Sequence, residues 1–229
     1  MDATYFLKER TEFIRFYYDE CAKSFVELQR KIKDKLTPYD KPPYSEDGEP
    51  AFLSEWIDAR TGVDILGLSC VSMTSDALKI YFETIRTRVI RFSFNDEEIK
   101  LGKNSGFIAK YQKAFGDILA TDFSDCPADF SVIEQVVLAR NRAQHGEHSM
   151  SHVPTHDNKT LEKYPQPFFA DKAEHKMWMD SQGSLSSFLT PNVKVSREKL
   201  FAAIQHIEDL ADWIDGRMDK AMEWRNAQR

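Results

Sequence analysis

Cysteine is scarce in this chain, which has three among its 229 residues. Cys21, Cys70 and Cys126 lie far apart and form no Cys-x2-Cys pair, which argues against a zinc ribbon. An odd number of widely spaced cysteines is typical of reduced thiols in a cytosol. We therefore expect a cytoplasmic protein whose fold depends on neither disulfides nor structural zinc.

Long apolar runs are also missing. No stretch approaches the ~18 residues that a membrane-spanning helix needs. The first residues, MDATY, have neither the basic start nor the apolar centre of a signal peptide. We therefore expect no membrane partner.

Three glycine motifs that identify common enzyme classes do not occur. The sequence has no Gly-x4-Gly-Lys loop, no Gly-x-Gly-x2-Gly turn and no Gly-x-Ser-x-Gly elbow. These absences disfavour nucleotide hydrolysis on a P-loop, a dinucleotide site of the Rossmann type and an esterase. We expect no cofactor.

Positive charge is in deficit, with 31 Lys and Arg residues against 37 Asp and Glu residues and a net charge of −6. A protein that contacts many phosphates usually carries a net positive face. Basic residues are nevertheless grouped at 86–91 and at Arg140 and Arg142. The first group has the alternative interpretation of a solvated helix face. The balance excludes broad nucleic-acid affinity but leaves room for a small phosphate site.

Helical periodicity dominates what is present. Hydrophobic residues make up 41% of the chain, enough for a full core in one domain. Apolar spacing of three, four or seven predicts helices over 4–36, 61–92, 107–119, 131–145 and from Ser196 onward, with a short helix at 52–60 and a connector at 95–106. No alternating strand pattern accompanies them. The sequence therefore predicts a single all-α domain, 1–229, built as an antiparallel helix bundle.

The region 146–195 has a different character. It contains four prolines, a serine-rich stretch and only short apolar clusters. More than forty residues without periodicity are uncommon inside a domain and usually form a lid, a functional loop or a partner surface. We predict a long irregular insertion before the last helix.

The most unusual segment is Arg-Asn-Arg-Ala-Gln-His-Gly at 140–146, at the end of an apolar helix. Ser131 and Glu134 fit a capping box, so this helix should begin near Ser131. Helical spacing directs Arg140 inward, and it places Asn141 and His145 on one face as an i,i+4 pair. Gly146 suits the left-handed residue that ends a helix.

A guanidinium and an imidazole held near each other can stabilise a pentavalent phosphate and move its protons without a metal. A structural role remains the alternative. In that case Arg140 pairs with a carboxylate between helices and His145 caps the helix C-terminus.

This segment resembles the motif of the HEPN (higher eukaryotes and prokaryotes nucleotide-binding) superfamily, in which an arginine is followed by a polar residue and, four to six residues on, by a histidine. The resemblance covers about nine residues. It implies a small all-α domain, and many such domains are metal-independent endoribonucleases. It also implies a homodimer in which two copies of the motif form one composite site. A central helix before the motif helix suits this order, whereas HEPN domains usually have a shorter connection than 146–195.

The resemblance implies roles for individual side chains. His145 would act as general base or acid, Arg140 would neutralise charge on the phosphate, and Asn141 would hold the imidazole or a phosphate oxygen. Arg142 and His148 are candidate phosphate contacts. Two acidic residues of the central helix are candidates for orienting Arg140 by an ion pair, in preference to direct acid-base work. These are Asp76 and Glu83.

Such an activity is toxic to its host cell, so the resemblance implies a toxin, abortive-infection or antiviral defence role with an antitoxin or other neutralising protein. RNA would be the substrate. The alternative function is a non-catalytic HEPN-like module that binds a nucleotide or a protein partner through 146–195. Substitution of Arg140 and His145 would distinguish the two.

A metal site is a competing interpretation of the same region, because four histidines follow in close succession. Helical continuation past Gly146 would bring three of them to one face, where they could ligate zinc. Gly146 and Pro154 disfavour that continuation, and no metalloprotease spacing is present. We therefore expect no metal. The candidate ligands were His145, His148, His152 and His156, with Glu147 and Asp157 nearby.

Overall fold

The computed structural model describes residues 2–43, 48–145, 152–180 and 190–228. Within these ranges all regular elements are helices, and an isolated bridge joins Thr155 to Asn192. The predicted all-α class is confirmed. None of the described helices combines the length and the hydropathy needed to cross a bilayer. The helices are α1 (Ala3–Lys33), α2 (Leu53–Thr84), α3 (Asp96–Ser105), α4 (Phe107–Leu119), α5 (Phe130–Gln144), α6 (Asn158–Lys163), α7 (Lys172–Asp180), α8 (Arg197–Asp215) and α9 (Met218–Ala227).

The central helix α2 is continuous where the sequence predicted two helices, so that prediction was wrong. Gly62 lies inside it, and a Cβ at this position would be 2.6 Å from the ring of Phe25. The glycine therefore permits a close approach of Phe25 and does not end a helix. After Thr84 the chain continues as a π-helical turn over Ile85–Ile90. This helical turn ends at Arg91, whose φ is 64°.

The predicted connector 95–106 is instead the ten-residue helix α3. The side chain of Asn95 accepts a hydrogen bond from the Glu98 backbone amide at 2.8 Å, and the Glu98 carboxylate accepts one from the Asn95 amide at 2.8 Å. This reciprocal capping box supplies partners for the first amides of a mostly polar helix. The local capping interaction therefore favours a helix at a place where the apolar pattern is too weak to predict one.

The buried face of α1 is displaced from the predicted apolar stripe. The apolar spacing that predicts the 4–36 helix includes Phe6 and Phe13, yet these side chains are 56% and 54% exposed. The helix instead buries a neighbouring face that includes Thr11, whose hydroxyl donates to the Glu208 carboxylate at 2.5 Å. A hydroxyl that has a hydrogen-bond partner can be buried in a core. Because threonine is polar, the hydrophobic pattern did not predict the burial of Thr11. The buried apolar residues of α1 are Ala3, Leu7, Ile14, Tyr18 and Ala22.

The chain forms two compact units, each assembled from separate segments. Unit 1 contains Met1–Phe13, Met73–Val137 and Phe201–Arg229. Its core includes an aromatic cluster in which the Phe82 ring stacks on Tyr111 at 4.7 Å between centroids and meets Phe115 edge-on at 5.4 Å. Phe82 and Phe115 are each 1% exposed. Aromatic contacts of this kind stabilise a core beyond the burial of their area alone.

Unit 2 contains Ile14–Ser72 and Leu138–Leu200, and therefore all the described residues of the motif and of the 146–195 region. Its buried residues include Phe169, Val193 and Val195 from that region. The described part of the predicted irregular insertion thus contributes apolar side chains to a core and carries two helices, α6 and α7. The prediction of a long irregular insertion was wrong where α6 and α7 form.

The last predicted helix is divided in two. Ser196 caps α8 as predicted, since its hydroxyl accepts from the Lys199 amide at 3.4 Å. The helix ends at Asp215, and α9 begins only at Met218. Between them lies Gly216, and glycine is unfavourable inside a helix. The apolar spacing alone did not predict this break.

Two glycines of α2 make a matched test of close packing. A Cβ at Gly67 would overlap the backbone carbonyl oxygen of Val195, whereas a Cβ at Gly62 would meet one edge of the ring of the half-buried Phe25 side chain. Gly67→Ala should therefore lower the free energy of unfolding by about 1–3 kcal/mol through overpacking. Gly62→Ala should be near neutral, because the ring can move and alanine favours helix by about 1 kcal/mol. Urea denaturation of both variants measures the difference, and equal effects would contradict the packing of 190–195 against α2.

Candidate functional site

The motif helix α5 begins one residue before the predicted position and uses a different cap. The carboxylate of Asp129 accepts a hydrogen bond from the Ser131 amide at 2.8 Å. Hydrogen bonding from Ser131, from its side chain first and from its backbone amide after that, holds the pKa of Asp129 below its usual value. The predicted capping box of Ser131 and Glu134 is therefore wrong, and Asp129 satisfies the first amides.

The first three turns of α5 are strongly buried. Ile133 and Val136 are fully buried, and Ala139 is 2% exposed. Their spacing of three is that of one helix face. Packing along this face fixes the backbone from which the polar residues of the last turn project.

Arg140 and Asn141 are in contact at the start of that last turn. Arg140 is half-buried with its Nε shielded from solvent, and a terminal nitrogen donates to the Asn141 side-chain oxygen at 3.4 Å. Asn141 is exposed. The guanidinium is thus partly withdrawn from water while its neighbour is open to it, an arrangement that strengthens charge-assisted hydrogen bonds to an anion.

His145 lies at the C-terminus of the same helix. Its amide donates to the Asn141 carbonyl at 3.1 Å, which completes the last helical hydrogen bond, and the residue is exposed. The predicted i,i+4 relation of Asn141 and His145 therefore holds in the backbone. The predicted roles of Gly146 and His148 concern residues outside the described ranges.

Arg142 is more buried than Arg140, with 9% exposure. Its Nε donates to the Thr155 carbonyl at 2.7 Å. The sequence predicted Arg142 as a phosphate contact, and that role stays a prediction. Its observed contact is structural, because it joins the end of α5 to the segment that follows the motif.

A short paired segment follows Thr155 and holds a histidine in the core. The His156 amide donates to the Pro191 carbonyl at 3.0 Å, and the Val193 amide donates to the Pro154 carbonyl at 2.8 Å. The His156 ring, 5% exposed, lies 3.0 Å from the Phe169 carbonyl. Because a carbonyl only accepts, Nε2 carries the proton. Sequence reasoning missed this role of His156, since the segment has no periodicity.

Burial lowers the pKa of His156, and this predicts an acid-sensitive stability. The unfolded chain takes up a proton as the pH falls through about 6.5, whereas the folded chain resists it. Stability is thus fully present above pH 6.5 and is lost below it, by at most about 1.4 kcal/mol per pH unit. His156→Gln should remove this component. Urea denaturation at pH 7.5 and 5.5 measures it, and parallel losses in both proteins would contradict the assignment.

The two acidic residues predicted to orient Arg140 lie on α2 with other contacts. The Glu83 carboxylate accepts from Arg86 Nε at 3.0 Å and from the Tyr111 hydroxyl at 3.0 Å. These bonds, the Arg86 bond first, hold the pKa of Glu83 below its usual value. Asp76 is exposed and lies 4.0 Å from the Lys79 ammonium. Their orienting role toward Arg140 stays a prediction.

The competing metal interpretation involves several histidines, and the two described between residues 152 and 156 differ in their exposure to solvent. His152 is exposed and His156 is buried against Phe169. Across 2–43, 48–145, 152–180 and 190–228, no group of three or more His, Cys, Asp or Glu side chains is placed to hold a metal ion. His148 and Glu147 lie outside these ranges.

Comparison of the chain with protein-family models, with curated proteins and with solved structures finds no match. The chemistry of the site must therefore be argued from its own side chains. A half-buried guanidinium, an exposed carboxamide and an exposed imidazole occupy six consecutive residues at one helix end. This set can bind an anion and exchange a proton with it.

Proposed function

We propose that this chain is a metal-independent endoribonuclease of HEPN type. The observation that carries the proposal is the last turn of α5, where half-buried Arg140 contacts Asn141 and exposed His145 ends the same helix. Rigid helical backbone and packing of the preceding turns support preorganisation of these groups. An imidazole can accept or donate a proton, and a guanidinium presents a positive charge with several hydrogen-bond donors.

The proposed reaction is an internal transesterification of RNA. A 2′-hydroxyl loses its proton and attacks the adjacent phosphorus, and the bond to the 5′-oxygen of the next nucleotide breaks with proton uptake. His145 serves one of these proton transfers as general base or acid. Arg140 neutralises the charge that builds on the phosphorane oxygens, and Asn141 holds the imidazole or a phosphate oxygen. The products are a 2′,3′-cyclic phosphate and a 5′-hydroxyl.

The proposal includes a homodimer in which two copies of the motif face each other. Two copies supply both a second proton carrier and a second cation, as a two-step proton transfer requires. A toxin or antiviral defence role with a neutralising antitoxin follows from the toxicity of such an activity. Light scattering of the purified chain tests the dimer, and a strict monomer at working concentrations would contradict the composite site.

The product ends distinguish this chemistry from metal-assisted hydrolysis. Purified chain should cut a structured RNA in excess EDTA and leave 2′,3′-cyclic phosphate ends. Ligation that depends on 5′-phosphate should fail on these fragments. Cleavage that disappears with chelator, or that leaves 3′-hydroxyl ends, would contradict the proposal.

A further inference from the structure

A cavity of about 520 Å³ lies within unit 2, and no residue of α5 is among those that line it. Its walls come from one face of α7, from the loop before that helix and from the start of α8. Cavities of about 300–1,000 Å³ are typical of small-molecule sites. The residues used below are Phe168, Lys172, His175, Lys176, Met179 and Lys199.

The α7 wall is a helical stripe with one sign of charge. Lys172, His175, Lys176 and Met179 follow the i, i+3, i+4, i+7 pattern, so they share one face of the helix. Two ammonium groups therefore project from neighbouring turns of this wall. Like charges at i,i+4 destabilise a free helix, and a bound anion would offset that repulsion.

The two carboxylates next to the α7 wall accept hydrogen bonds outside the cavity lining, although Asp171 also interacts electrostatically with Lys199. Asp171 accepts hydrogen bonds from the amides of Ala173 and Glu174 at 2.8 and 3.2 Å, as the N-cap of α7. The Glu174 carboxylate accepts from the Asn192 amide and side chain at 3.3 and 3.2 Å. Neither acidic residue lines the cavity, so its charged wall residues are all basic.

Lys199 brings a third ammonium to the cavity from α8. Its Nζ donates to the Ala170 carbonyl at 2.5 Å, and an ammonium group carries three donors. Burial, and after it the nearby charges of Lys172 and Lys194, lower the pKa of Lys199 against the opposing effect of Asp171. An anion in the cavity would stabilise this half-buried cation.

An apolar surface accompanies the three ammonium groups. Phe168 is half-buried and Met179 is 46% exposed, and both line the cavity. An aromatic face and a flexible thioether provide a stacking platform for a planar ring. The cavity therefore combines a multiply charged anion site with a ring site, within the reach of one small molecule.

We propose that this cavity binds a nucleoside phosphate, with its phosphates on Lys172, Lys176 and Lys199 and its base against Phe168 and Met179. The site is independent of ribonuclease chemistry at Arg140 and His145. A free nucleotide fits an open cavity of this size, whereas a strand of RNA would need a continuous basic track that the net charge of −6 disfavours.

The test is isothermal titration of the full chain with ATP, AMP, adenosine and inorganic phosphate in EDTA. ATP and AMP should bind saturably, with ATP tighter, and adenosine and phosphate should bind more weakly than either. Lys172→Gln/Lys176→Gln should weaken ATP binding by about tenfold or more, because it removes two charge-assisted contacts at exposed positions. Lys199→Gln, which keeps a donor for Ala170, should weaken it in the same direction.

Lys100→Gln is the matched control, since Lys100 is an exposed lysine of α3 outside this cavity. It should leave ATP affinity unchanged. Equal weakening by Lys100→Gln, unchanged affinity in both cavity variants, or tight binding of an RNA oligonucleotide without any binding of ATP would overturn the proposal. His145→Ala should retain full ATP affinity, so a failed ribonuclease proposal and a failed nucleotide site give different results.

Discussion

His145→Ala should lower the initial rate of RNA cleavage by about 10²–10⁴-fold, the range that general acid-base catalysis contributes. The effect on stability should be small, because His145 is exposed at the end of α5. The backbone hydrogen bond from its amide to Asn141 survives the substitution. Cleavage of a labelled RNA in EDTA and thermal melting, measured on the same preparations, separate the two effects.

Gln144→Ala is the matched control, since Gln144 is exposed and precedes His145 directly. It should cut RNA at the wild-type rate. Arg140→Ala should lower the rate by about 10²–10³-fold through loss of charge stabilisation. A large melting loss with unchanged cleavage in the Arg140 and His145 variants would show that the pair is structural.

Phe82→Ala should destabilise the protein by about 3–5 kcal/mol, the largest effect on stability that we expect from one substitution. Phe82 is 1% exposed and contacts rings of α4 on several sides. Removing the ring leaves a cavity among side chains already packed against one another. A typical domain is stable by about 5–15 kcal/mol, so the variant loses a large part of the total.

Phe6→Ala is the corresponding control, because Phe6 is 56% exposed on α1. Its effect should stay within about 0.5 kcal/mol. Guanidinium denaturation of both variants gives the comparison. Similar losses for the two would mean that the aromatic cluster of Phe82, Tyr111 and Phe115 is not the centre of the unit 1 core.

The apolar period predicted the presence of most helices better than it predicted their buried faces. Phe107–Leu119 was predicted with its observed bounds. In α1 and α2, however, Phe6 and Ile80 have the apolar side chains expected of a core and are about half exposed, whereas Thr11 is fully buried. Helices with apolar residues on two adjacent faces do not reveal which face is covered. That choice depends on partners distant in sequence, such as Glu208 for Thr11.

The candidate site was partly predictable for a similar reason. The exposure of Asn141 and His145 follows from their place at the end of an apolar helix, which local sequence can indicate. The burial of Arg142 and of His156 could not be inferred, because their partners are backbone carbonyls of Thr155 and Phe169. Every residue has a backbone carbonyl, so residue types do not indicate which carbonyl of an aperiodic segment will accept a hydrogen bond. The sequence did not indicate the basic cavity at α7. Its lysines are joined there by Lys199, which lies on another helix.

The most direct test of the account is the initial rate of RNA cleavage in excess EDTA, with wild-type chain and His145→Ala purified side by side. We predict cleavage proportional to wild-type concentration and an initial rate about 10²–10⁴-fold lower for the variant. Equal rates for the two proteins, or no cleavage by the wild type of any structured or single-stranded RNA, would contradict it.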